Sequence, residues 1–127
     1  MKDMNDVFNF LLYVGKEDSM PLAGQLIKLA EETGELAEQV NQKLGFTNHK
    51  AFKEPMIGEV ADVICCAIGV LVKAYPYADK QDLIDCLETH LKDKGKKWEQ
   101  LEIDRRERAN QSVSCARNLS GEPRGND

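Results

Sequence analysis

The sequence lacks most of the marks of membrane, secreted and nucleic-acid-binding chains. No apolar run approaches the roughly 18 residues needed to cross a bilayer. The longest, Val63 to Val72, reaches about half that length. The opening stretch MKDMNDVFNFLLYVGKED has acids within its short apolar segment and no small-residue cleavage site, unlike a signal peptide. The four cysteines, at 65, 66, 86 and 115, form no CxxC pair and no disulfide-like framework, as expected of small apolar fillers in a reducing cytosol. Strand signals are nearly absent, because no sustained period-two alternation occurs and β-branched residues are scattered. No internal repeat has a solenoid period. There is no Walker loop, GxGxxG or nucleophile elbow. Neither histidine forms ExxH with an acid, which counts against a ferritin-like di-iron site, and His49 reads as an ordinary loop residue. Basic charge is also short: 17 Lys+Arg stand against 22 Asp+Glu, which argues against a dedicated duplex-DNA binder. A cytoplasmic protein with no membrane and no nucleic-acid partner is expected.

What is present is helical from end to end. The 127 residues, 42% hydrophobic and 31% charged, suit one domain with a real core. Punctuation divides the chain into four helices. The first is expected from about Asn5 to Lys16, with Val7, Phe8, Leu11 and Leu12 forming its apolar stripe. Ser19 is placed to cap the second, with Pro21 in its first turn, and Gly45 to end it after Leu44. After the polar loop FTNHKAFK, the third opens near Glu54 and Pro55 and ends before Pro76. Asp79 is placed to cap the fourth, which is expected to run to about Ile103. This gives a helical domain over 1–103 and a polar, flexible tail over 104–127.

Four such helices with short connections predict an all-α, antiparallel four-helix bundle. On the second helix, Leu22, Leu26, Leu29, Thr33, Ala37, Val40 and Leu44 share one face, with Ile27 well off it. The third helix is apolar nearly all round from Val60 to Ala74, interrupted only by Asp62 and Lys73. A helix apolar on every side calls for burial on every side, more than one small bundle supplies. Completion by a second copy, most simply a homodimer, is therefore expected.

The acids within this packing carry the functional signal. Spacings of three put Glu32 with Glu35, and Glu59 with Asp62, on adjacent turns of single helix faces. Asp62 has little but apolar neighbours along its helix. An unpaired buried carboxylate costs several kcal/mol and must protonate or find a partner. Four carboxylates converging from two antiparallel helices require cations, and hard divalent ions with oxygen preference suit them.

The stretches KLAEETGELAEQVN (28–41) and GEVADVICCAIGVL (58–71) resemble the MazG-type all-α nucleoside triphosphate pyrophosphohydrolases. That family is marked by EExxE on one helix and ExxD on the next, matched by Glu31-Glu32-x-x-Glu35 and Glu59-x-x-Asp62. The likeness covers roughly residues 20–100, with both motifs, their order and the following apolar helix in agreement. It implies a MazG-like bundle, a homodimer or homotetramer, that uses Mg²⁺, with Mn²⁺ as a substitute. It also implies the reaction: an NTP or dNTP is split into monophosphate and pyrophosphate, for nucleotide-pool control or house-cleaning. By position, Glu32, Glu35, Glu59 and Asp62 are the implied metal ligands, and Glu31 or Glu35 the acid that takes a proton from the attacking water. Lys94, Lys97, Asn41 and Trp98 are the candidate substrate contacts. Two other readings remain open on the same residues. One is a phosphoribosyl-ATP-type pyrophosphohydrolase. The other is a non-catalytic, dimeric helical interaction module whose buried acids pair with Lys28 or Lys73.

Overall fold

The computed structural model describes residues 3–47 and 51–121; His49 and the last six residues lie outside them. Four helices follow in order: α1 (Met4–Glu17), α2 (Leu22–Lys43), α3 (Met56–Ala74) and α4 (Lys80–Ser120), with no strand among the described residues. The all-helical architecture agrees with the sequence pattern. No helix among the described residues is long and apolar enough to cross a membrane.

The helix ends follow local chemistry. Asp3 caps α1 by accepting from the Asp6 amide at 2.9 Å. Asp79 Oδ1 accepts from the amide of Gln81 at 2.8 Å and more distantly from Asp82, holding the start of α4 as expected. At the end of α2, Gly45 adopts a positive φ of 78°, and the Phe46 amide reaches back to the Asn41 carbonyl at 2.9 Å. With the Gly45 amide on the Gln42 carbonyl, this is a Schellman termination, and it is why the helix stops there. The start of α2 differs from expectation. Pro21, not Ser19, occupies the N-cap position, with no side-chain cap. Asp18 instead organises the turn, accepting from the Met20 amide at 2.7 Å and from Gln25 Nε2 at 3.1 Å.

The chain divides into two compact units, Met1–Ile84 and Asp85–Asp127. In the first, α3 packs against both α1 and α2. The α2–α3 pairing is antiparallel: Gln25 lies against Gly69, whereas Gln39, four turns on, reaches Glu59 and the Glu54 carbonyl. Leu12, Ile68, Val72 and Leu83 form the buried core, supported by Phe8, Leu11, Leu71, Ala78 and Ile84. The stripe expected on α1 faces this core.

One expectation about packing is corrected. The face that α2 turns inward carries Gln25, Glu32 and Gln39, spaced by seven, and not the apolar stripe. Leu22, Leu26, Val40 and Leu44 are exposed, Leu26 at 56%. Within the single chain, α3 leaves Ile57, Val60 and Ile64 exposed, the incomplete cover on which the expectation of a second copy rests. The second unit is the remainder of α4, which continues as helix through 104–120, beyond the expected end near Ile103. No proline or glycine interrupts the sequence between Gly95 and Gly121, and Arg106 pairs with Glu102 at 3.0 Å within that stretch.

With so few buried apolar side chains, each one counts. Leu12→Ala, at a position only 2% exposed, is expected to destabilise the fold by about 3 kcal/mol. Urea unfolding followed by circular dichroism checks this, with the exposed Ile27→Ala as the near-neutral control.

Candidate metal centre

The polar end of the α2–α3 pairing gathers acids. Carboxylate oxygens of Glu32, Glu59 and Asp62 lie within 4.8 Å of one another. Glu32 is brought there by the inward face of α2, and Glu59 and Asp62 by the first two turns of α3. Glu32 and Glu59 are buried, at 6% and 4% exposure, and Asp62 is half-buried.

The partners of these acids are few. Lys28 Nζ reaches Glu32 Oε1 at 2.7 Å and Glu31 Oε2 at 3.5 Å. Its ammonium is held well above the usual lysine range, first by the Glu32 hydrogen bond, against a smaller opposing effect of desolvation. Gln39 Nε2 donates to Glu59 Oε1 at 3.0 Å and to the Glu54 carbonyl at 3.1 Å. Among the described residues, Glu59 Oε2 has no hydrogen-bond partner although it is buried. A buried carboxylate oxygen without a donor is costly, and beside two more carboxylates it fits a hard cation. The donor set, all oxygen, suits Mg²⁺ or Mn²⁺.

Glu54, just before α3, was not singled out by the motif spacing. Its side chain hydrogen-bonds Asp62, and that bond is the main reason its carboxyl is held above the usual glutamate range. Burial and the charges of Asp62, Glu59 and Glu32 push it the same way. The only sequence signal was its place beside Pro55 at the helix entrance. Gln39 was missed as well, because a glutamine carries no charge signature.

The remaining candidates lie elsewhere. Glu31 and Glu35 are exposed on α2, outside the close trio. Asn41 is exposed, and its carbonyl serves the helix end. Lys94, Lys97 and Trp98 are exposed residues of the second unit. Lys73 bonds the Asp18 carbonyl. Cys65 and Cys66 follow Asp62, and burial first, then nearby carboxylate charge, pushes both thiols up, which disfavours a nucleophilic thiolate. Near Glu59, an open cavity of about 490 Å³ is lined by Gln39, Gln42, Lys43, Gly45, Phe52 and Met56.

Two outcomes follow from this charge arrangement. Because the Glu54 proton is bound more tightly in the folded chain, its stabilising contribution is complete below the ordinary pKa near 4.5 and is lost as pH rises through the raised value. In chelator, stability is therefore expected to fall across that window, with Mg²⁺ reducing the loss; melting curves from pH 4 to 8 with and without Mg²⁺ check it. Glu59→Gln removes a buried, unpartnered charge and is expected to raise stability in chelator by about 1 kcal/mol while abolishing stabilisation by Mg²⁺.

In comparisons with known proteins, no family model, no curated protein and no solved structure matches this chain.

Proposed function

We propose that the chain is a Mg²⁺-dependent nucleoside triphosphate pyrophosphohydrolase of the MazG-like type, acting in the cytoplasm. The observation that carries the reading is the trio Glu32, Glu59 and Asp62, with Glu59 Oε2 buried and unpartnered. EExxE and ExxD supply the resemblance, and the antiparallel α2–α3 pairing supports it by joining one acid of the first motif to both of the second. In this reading Glu32, Glu59 and Asp62 hold the ion, and Glu35 completes the set from the next turn of α2. When bound, the cation neutralises phosphate charge and activates the attacking water.

The chain's own residues do the rest. Gln39 fixes one Glu59 oxygen and leaves the other for the ion. Lys28 holds Glu32 in place and brings a positive charge to the edge of the site, where a phosphate oxygen can meet it. Glu31 or Glu35, exposed beside Glu32, takes the proton from the attacking water. The neighbouring cavity offers Phe52 for stacking on the base, with Lys43 beside it. The uncovered apolar residues of α2 and α3 support a homodimer or homotetramer, because patches of that kind are rarely left to water.

One observation favours a second reading. The Lys28–Glu32 ion pair is what a non-catalytic helical module would use to tolerate a buried acid. It leaves Glu59 Oε2 unanswered, so the metal-dependent reading is preferred.

Product analysis with each common NTP and dNTP, in Mg²⁺ and in EDTA, separates the two readings. Monophosphate and pyrophosphate are expected from a subset, only with Mg²⁺. Asp62→Asn is expected to lower turnover at least about a hundredfold with helix content unchanged, because losing a metal ligand removes several kcal/mol of transition-state stabilisation. Absence of both turnover and metal binding would leave the interaction module as the reading.

A further inference from the structure

We propose that Glu54 is a further carboxylate ligand of the cation site, carried into it by the segment that leads into α3. This rests on the metal-centre reading above and adds a residue that lies in neither acidic motif.

The placement of Glu54 is held from two directions. Its backbone carbonyl accepts from Gln39 Nε2 at 3.1 Å, and the same nitrogen donates to Glu59 Oε1 at 3.0 Å. One glutamine thus ties the segment before α3 to the buried acid of the trio. The Glu54 side chain lies across Gly58, where a Cβ would collide with its Oε2 and Cδ. Gly58 therefore leaves the space that the Glu54 side chain occupies on its way to Asp62, whose carboxyl it hydrogen-bonds. An independent observation points to a missing ligand beside this pair: Glu59 Oε2 is buried with no partner.

The chemistry favours ligation over a passive contact. Mg²⁺ takes six oxygen ligands, so the trio alone leaves positions open. Glu54 lies outside the trio, as Glu35 does, but its side chain meets Asp62 from the segment before α3, whereas Glu35 is exposed on α2. A carboxylate on a loop can follow the ion by a small side-chain movement, while the helix-borne acids stay fixed. The structure assigns Glu54 the role of closing the coordination shell.

Mn²⁺ binding to the full-length chain, read from loss of the free-ion electron paramagnetic resonance signal, tests this without reference to turnover. Glu54→Gln is expected to weaken binding about tenfold or more. Glu54→Asp keeps the charge but shortens the reach, and is expected to weaken binding as well. Gly58→Ala removes no carboxylate and improves helix propensity, yet is expected to weaken binding by displacing the Glu54 side chain. Glu17→Gln, exposed at the end of α1 and outside the site, is the charge-matched control, with an expected change of less than about threefold. Wild-type binding by Glu54→Gln, with binding lost in Asp62→Asn, would overturn the Glu54 assignment and leave the metal centre standing. Weakening in Glu54→Gln but not in Glu54→Asp would also overturn it, because charge alone would then suffice. No Mn²⁺ binding by the wild-type chain would overturn the metal centre and this inference together.

Discussion

Like-charge repulsion between α2 and α3 is the constraint around which the first unit is arranged. At a separation of 4.8 Å and an effective dielectric of about 20, two carboxylates repel by roughly 3 kcal/mol, and the trio contains three such pairs. A domain of this size has a total stability of only about 5–15 kcal/mol. Lys28 answers Glu32 and Gln39 gives one hydrogen bond to Glu59, but among the described residues nothing answers the second Glu59 oxygen. Protons or cations must enter the balance, and the Glu54–Asp62 hydrogen bond is the form it takes when a proton does.

The fold tolerates this strain by separating tasks along α3. Glu59 and Asp62 stand in its first two turns, while Ile68, Gly69 and Val72 lie on the core side further along. Nine residues from Glu59 to Ile68 correspond to about 13 Å of helix rise, so the apolar cluster and the charged cluster do not share a shell. Unfavourable charge at one end is held by apolar burial at the other. The antiparallel register of α2 follows the same division, with Gln25 near Gly69 and Gln39 near Glu59. Rigid helices thus fix the acids, and the segment before α3 contributes Glu54 from outside the helix.

Much of this arrangement was legible in the sequence, and the failures have physical causes. Asp79, Gly45 and Pro55 mark helix boundaries because each solves a local backbone problem, and such problems are visible in a single sequence. Helical spacing puts Glu59 and Asp62 on one face of α3, where both join the trio, whereas Glu32 and Glu35, also three apart, separate into a buried and an exposed acid. Which face of α2 would meet α3 was not legible. Periodicity finds the stripe Leu22, Leu26, Val40, but the buried positions are Gln25, Glu32 and Gln39, the side on which α3 packs, with Gln25 against Gly69 and Gln39 bonded to Glu59. The extent of α4 was misread because polar composition suggests a tail, whereas helix continuity depends on propensity and on contacts such as Arg106–Glu102. Glu54 escaped notice because its proximity to Asp62 arises from the chain's turn into α3, which no fixed spacing encodes.

Counting charge at the site constrains the order of events on the proposed reading. With Glu32, Glu54, Glu59 and Asp62 all ionised and Lys28 protonated, the cluster carries a net of about three negative charges, and a nucleoside triphosphate adds about four. Repulsion on that scale excludes productive approach of the free nucleotide, so cation must arrive first or with the substrate. One divalent ion leaves the protein cluster still slightly negative, enough to hold the ion but weakly repulsive to phosphate; a second reverses the sign. The exposed side of Asp62 and Glu54 is where additional positive charge can enter, since Glu32 and Glu59 are closed off by burial and by Lys28 and Gln39. The same burial that makes the acids costly to fold therefore also determines from which side the substrate's charge can be met.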